Sequence, residues 1–437
     1  MKVTQLECLA PRLSGNALEL GYVARSAAAT VHRFTEVVEL PGGLAHVPPA
    51  QLDRVLRLLS LAASLSYFKA FAPATIAVPD GLTVIERRFL SGLTRHGMGE
   101  FAFVNGLPEV LDTTILAPGL AGSDEPAPEP GDPRRALVAV GGGKDSIVSI
   151  EALRVAGLEV GLFSVNSYAP IAGTASVAGF PLVSAHRRLD PQLFRLNDAG
   201  APNGHVPVTA VNSILAVLTA MALGYDTVVF SNEASSSFGN VSWQGQTINH
   251  QWSKGIEFER SLRDSLPEGA PQYLSLLRPL TELRIARRFA QHERYHGVFT
   301  SCNRAFRLQR AERTSWCTDC PKCRFVFLML GPFLSRAALL QIFGGQDMFA
   351  DDRQLAGFLE LLGARGTKPF ECVGEPDECR VALDLLREHP EWRDHPFLTR
   401  SELADVDATP AEREAAFAFR EDEHLLPPRL EAIAREI

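Results

Sequence analysis

Apolar positions in the first 118 residues switch between helical spacing and short strand-like runs. Residues 48–71, PPAQLDRVLRLLSLAASLSYFKAF, repeat apolar side chains every three to four positions behind a Pro-rich start, which predicts a helix. Residues 74–81, ATIAVPDG, predict a short strand that ends in a turn. The stretch 119–135, GLAGSDEPAPEPGDPRR, has no periodicity and is dense in Pro, Gly and acidic residues, so it reads as a linker. Beyond it strands and helices alternate: strand 136–140, helix 144–156, strands 158–165 and 182–189, helix 208–223 closed by Gly224, and strand 226–230. Such alternation predicts a parallel sheet with its ligand at the carboxyl ends of the strands. After about residue 325 the pattern is mostly helical with charged faces. The expected organisation is therefore an α/β chain with an N-terminal α+β domain (1–118), a linker (119–135), a catalytic core (136–325) and a helical C-terminal region (326–437).

Composition narrows the function classes. The 437 residues are 46% hydrophobic, and 43 Lys+Arg against 51 Asp+Glu leave a net charge of −8. A nucleic-acid partner needs a dominant basic surface, so none is expected. No apolar run approaches the ~18 residues of a membrane span. The first residues, MKVTQLECLAPRLSG, lack the apolar segment of a secretory signal, so a cytoplasmic protein without a membrane partner is expected. Oligomeric state is not legible. Of seven cysteines, four lie at Cys302, Cys317, Cys320 and Cys323. The two two-residue gaps in CTDCPKC let thiolates converge, as in a four-cysteine zinc site, so structural Zn²⁺ is expected there.

The chemistry-bearing stretch is VGGGKDS. Gly141, Gly142 and Gly143 sit where a strand hands over to a helix, so consecutive amides and the helix N-terminus can converge on an anion. Lys144 and the Ser146 hydroxyl are candidates to hold phosphate oxygens, and Asp145 to orient Mg²⁺ or the loop. The stretch is neither a Walker A motif nor GxGxxG. It resembles the PP-loop of the ATP pyrophosphatase superfamily, usually Ser-Gly-Gly-x-Asp-Ser, with Gly141 standing in for the serine. That resemblance implies an adenine-nucleotide alpha hydrolase-like core that splits ATP into AMP and pyrophosphate, with Ser164 and Asn166 near the adenine. A glycine loop followed by four cysteines also resembles 7-cyano-7-deazaguanine synthase, over the core alone, and an amidating, thiolating or nitrile-forming enzyme acting on a nucleobase is the alternative reading.

Three polar segments, GHVPVTAVNS (204–213), SNEASSSFGN (231–240) and TINHQWSKGIEFE (247–259), precede the cysteines, and GTKPFECVGEPDE (366–378) follows them. In the third, His250, Lys254 and Glu257 are spaced for one face of a helix. In the last, Cys372 lies among Glu371, Glu375 and Lys368, a cation able to lower its pKa. Taken together, GGGKDS, GHVPVTAVNS, SNEASSS, INHQWSK, SCNRAF, CPKCRF and KPFECVGE resemble the UDP-N-acetylmuramoyl-L-alanyl-L-glutamate epimerase family over nearly the whole chain. The resemblance implies an ATP- and Mg²⁺-dependent isomerase of peptidoglycan precursor synthesis, and hence a role in cell-wall biogenesis, cell shape and division. Its substrate would be the UDP-MurNAc-dipeptide, whose terminal L-Glu becomes D-Glu. Cys372 is the first candidate for proton transfer, followed by Glu371, Glu375 and His250, with Lys254 beside them.

Overall fold

The computed structural model describes residues 2–27, 29–121, 131–302, 304, 316–366 and 368–437. Residues 122–130 of the expected linker and residues 303, 305 and 306 of SCNRAF lie outside them. Strands β1 (Gln5–Cys8), β2 (Arg12–Ser14), β3 (Ala17–Arg25) and β4 (Thr30–Glu39) form an antiparallel meander. Beyond β1 the short strands β5 (Thr75–Ala77) and β6 (Thr114–Leu116) add in parallel.

The core strands are β7 (Arg135–Ala139), β8 (Glu159–Val165), β9 (Leu182–Arg188) and β10 (Thr227–Phe230). A hairpin, β11 (Val241–Trp243) with β12 (Gln246–Ile248), stands apart, and β13 (Gln272–Ser275) returns to the sheet. In space the parallel set runs β13-β10-β7-β8-β9. Helices Lys144–Val155 and Val208–Leu223 and strands β7, β8, β9 and β10 fall within one residue of the bounds read from periodicity, which gives none for β11, β12 and β13.

Strands β9 and β4 pair antiparallel, so among the described residues eleven strands form one mixed sheet that runs through both the N-terminal region and the core. A buried ion pair spans this junction: Arg187 donates from Nε to Glu36 at 2.6 Å and from Nη2 to its other oxygen at 3.0 Å. Two donors meeting two acceptors leave no uncompensated charge in the interior.

Side chains that alternate along the core strands serve two apolar clusters, as expected of a parallel sheet covered on both faces. Ala136, Val138 and Val229 face one, Leu137, Val228 and Phe163 the other. Helices Pro49–Phe68 and Val208–Leu223 pack together over the second face, which is why the former is buried without interruption from Leu58 to Phe68. The first face is covered by helices Lys144–Val155 and Glu282–Ala290 and by the C-terminal region, whose core includes Phe327, Phe349 and Trp392. That region is mostly helical, as its pattern predicts, with its longest helix at Pro376–Glu388. Among the described residues no helix is long and apolar enough to cross a membrane.

Candidate active site

The strand order places β7 at the point where connections reverse direction, with β8 on one side and β10 on the other. Ligands of open α/β sheets bind in the crevice outside such a point, at the strand carboxyl ends. A cleft of about 340 Å³ opens there, floored by the glycine loop, Ser164 of β8 and Ser231 to Glu233 after β10.

Two of the three loop glycines are required by their surroundings. Gly142 has φ +80°, and a Cβ on it would come within 2.8 Å of Pro170. A Cβ on Gly143 would lie 2.7 Å from the Ser301 hydroxyl, whereas one on Gly141 would meet nothing within 4 Å. Gly143 leads the helix Lys144–Val155 without a side-chain cap. The first helical amides therefore remain available to an anion. Asp145 and Ser146 line the cleft, and the Ser146 hydroxyl donates to the Gly143 carbonyl at 3.1 Å.

Lys144 departs from expectation. Its ammonium is buried away from the cleft between Asp145 and Glu282. As the first residue of the helix it projects beneath the loop, where burial alone would lower its pKa but the two carboxylates raise it. Burial, with Asp145 and Glu233 nearby, pushes Glu282 up to about 8. Lys144 thus supports the loop from below and does not present its charge to a phosphate. Asn166 is also turned away: its side-chain amide bonds to the backbone N and O of Arg187 at 3.1 and 3.3 Å, while Ser164 stays on the cleft wall.

At the other end of the cleft stands Cys372. The ammonium of Lys254 donates to its sulfur at 3.0 Å, and His250 Nε2 lies 3.9 Å away. Burial would raise this thiol, but Lys254, then Lys322 and His250, hold it down to about 5. The cation at the sulfur is therefore Lys254 and not Lys368, which pairs with Glu375. Glu371 and Glu375 do not line the cleft. His250, Lys254 and Glu257 do not share a helix either. The chain from 249 to 254 is a turn and a 3₁₀ segment, and Gly255 in an extended conformation starts the helix Ile256–Ser265. Asn249 competes with helix formation by accepting from the Gln251 amide at 2.7 Å. Glu257 accepts from the Trp252 indole at 3.0 Å, while His250 and Lys254 still converge on Cys372.

Buried Arg278 orders the segments around this end. It donates to the Glu233 carbonyl at 3.0 Å and to the Ser236 hydroxyl at 2.7 Å, bonds to the Lys254 carbonyl, and pairs with Glu259. Thr209 and Asn212, from the start of helix Val208–Leu223, complete the wall.

Below the cleft the sulfurs of Cys302, Cys317, Cys320 and Cys323 all lie within 4.8 Å of one another. Cys320 and Cys323 are 3.4 Å apart and Cys317 and Cys323 3.7 Å. A tetrahedron with metal–sulfur bonds of about 2.3 Å has edges of about 3.8 Å. The group can hold a metal ion. Lys322, inside this knuckle, reaches the cleft.

Two family models match the chain, the MurL N-terminal domain over residues 12–276 and the MurL C-terminal domain over residues 298–417. A protein of a Micromonospora species named UDP-N-acetyl-alpha-D-muramoyl-L-alanyl-L-glutamate epimerase is 49% identical over 92% of this chain and 91% of its own length. Proteins of that name from Salinispora tropica (49% over 86% of this chain, 82% of its own) and Xanthomonas oryzae pv. oryzae (42% over 91% and 90%) also match. The chain belongs to the MurL epimerase family.

Both MurL models contribute to the cleft: the first covers the glycine loop and Lys254, the second Lys322 and Cys372. Several participants escape a reading of the sequence. Glu100, Arg278 and Glu282 sit in ordinary amphipathic stretches and gain meaning only through partners far along the chain. His205 lies within a polar segment that attracts notice, and Lys322 carried a signal of its own, a cation between two expected metal ligands.

Proposed function

We propose that this protein inverts the terminal L-Glu of UDP-MurNAc-L-Ala-L-Glu to D-Glu at the expense of ATP, releasing AMP and pyrophosphate. The observation that carries this reading is the joining, in one cleft, of an anion-binding glycine loop and a cation-flanked cysteine. The relatives' name supplies the substrate, and the loop at the reversal of strand order supports a nucleotide site of the PP-loop kind.

The chemistry explains why both ends are needed. A Cα–H beside a free carboxylate is a very weak acid, because deprotonation concentrates negative charge. Attack of that carboxylate on the α-phosphorus of ATP expels pyrophosphate and leaves an acyl-adenylate whose acyl group no longer carries the carboxylate charge, so that its Cα–H is far more acidic. Each ~1.4 kcal/mol removed from the barrier is worth tenfold in rate. The loop amides and Ser146 hold phosphate oxygens, and Asp145 and Glu233 are the cleft carboxylates suited to Mg²⁺. Cys372, flanked by Lys254 and His250, takes part in moving the Cα proton. Water then cleaves the anhydride to product and AMP. The four cysteines would hold Zn²⁺, which would fix the knuckle that carries Lys322.

The test is incubation with ATP, Mg²⁺ and UDP-MurNAc-L-Ala-L-Glu in D₂O. D-Glu carrying deuterium at Cα, with AMP in step with turnover, is expected. Unchanged L-Glu, or inversion without AMP, overturns the proposal.

A further inference from the structure

Beside the reacting end of the cleft, two titratable side chains have no part in the scheme above: Glu100 and His205, packed against His250. Glu100 belongs to the short helix Gly99–Asn105, in the region before the core. It accepts from Nδ1 of His250, whose other nitrogen faces the Cys372 sulfur. We infer that Glu100 is a positioning residue that keeps His250 as an imidazolium against a Cys372 thiolate, so that the N-terminal region completes the reacting end of the cleft. The reaction this serves rests on the epimerase reading. The charge arrangement itself does not.

The alignment is over-determined. The His250 amide donates to the side-chain oxygen of Asn240 at 3.0 Å, and the Asn240 amide group donates to the Pro369 carbonyl at 3.1 Å. His250 is thereby tied to the loop that carries Cys372. From the opposite side, a Cβ on Gly99 would lie 3.3 Å from Ile248, so the Glu100 helix rests directly on the strand that leads to His250. A nucleophile or base, a histidine and an orienting carboxylate in line form the usual chain by which a carboxylate fixes an imidazole's orientation and charge.

The charges around the group agree with that role. Cys372 is faced by Lys254, Lys322 and His250. Lys254 is faced in addition by Glu233 and Asp145. His250 is opposed by burial but raised by Cys372 and Glu100 to about 9. His205, its ring 4.5 Å from that of His250, is pushed down to about 3 by burial and by the neighbouring His250 and Lys254 charges. It is therefore neutral, and its Nδ1 lies 3.8 Å from the Glu100 oxygen that His250 approaches more closely.

The experiment uses the full-length protein without nucleotide or substrate. Alkylation of Cys372 by iodoacetamide is followed across pH by mass spectrometry of the peptide that contains it. Wild type should react with a midpoint near 5. Glu100→Gln should raise that midpoint by about one pH unit, the typical influence of one nearby charge, and Glu100→Asp should restore most of the difference. A Glu100→Gln midpoint equal to that of wild type overturns the inference. So does a divalent metal in excess of that held by the four cysteines and lost in His205→Ala, since the cluster would then be a metal site. If Glu100→Gln does not fold, His250→Gln is measured in its place, with the same expected rise and the same overturning result. Failure of the epimerase reading would leave this titration untouched, so the two are separable.

Discussion

The two ends of the cleft are assembled in opposite ways. The glycine loop is six consecutive residues whose backbone would do the proposed binding, and its shape follows from a strand, a helix and three missing side chains. The cysteine end is gathered from remote places: His250 meets Glu100 across 150 positions, and Cys372 meets His250 across 122 and Lys254 across 118. Backbone amides in a fixed turn suit a ligand common to many reactions. Side chains held by tertiary contacts suit the step that sets this reaction apart. The nucleotide end should therefore be sensitive to added bulk, and the cysteine end to lost functional groups.

The largest expected effect follows from deletion at the cysteine end. Cys372→Ala should lower deuterium uptake at Cα by about 10³-fold, within the usual range for removing a proton-transfer group, while AMP still forms from ATP and substrate. Equal loss of AMP and of exchange would erase the division of labour between the two ends. Next, Lys144→Met leaves Glu282 buried without its cation, and should cost about 3–5 kcal/mol of stability. Glu282 is held above its ordinary carboxyl range in the folded protein, so the folded state binds more protons than the unfolded one. Without Lys144 that carboxyl is held higher still, so wild type and variant lose stability in parallel above about pH 4. The deficit should grow only as pH rises past about 8, where the wild-type carboxylate forms. Thermal melts of wild type and variant at several pH values check this, and a deficit constant with pH would show that Glu282 is not the source. The smallest effects sharpen the contrast within the loop. Gly143→Val, which places a Cβ against Ser301, should cut AMP formation about 100-fold, or ~2.7 kcal/mol. Gly141→Ser enters open space and should change stability by less than about 0.5 kcal/mol. Equal penalties at both positions would show that the loop recognises sequence and not free volume.

The same division explains what a reading of the sequence captures. Strands β7 to β10, the long helix Val208–Leu223 and the cysteine knuckle are legible because their signals are local: periodicity, a glycine turn, two-residue spacing. The 247–259 segment looks helical by charge spacing, but Asn249 and Gly255 interrupt it, and local side-chain bonding prevails over periodicity. Lys144 looks like a phosphate ligand by type, yet its position at the helix start sends it under the loop. Lys368 is the nearer cation to Cys372 in sequence, and Lys254 the nearer in space. The continuity of the sheet was not legible at all, because the pairing of β4 with β9 depends on a register that neither strand encodes alone.

That pairing has a consequence for synthesis in the cell. Glu36 emerges from the ribosome long before Arg187, its partner 151 positions later. At roughly 5–20 residues per second the delay is about 8 to 30 seconds. Throughout it the meander carries β4 as an open edge, a template for any other extended chain that arrives first. The Glu36 carboxylate, charged and facing inward at that edge, makes such a stray pairing costly until the arginine of β9 arrives to neutralise it.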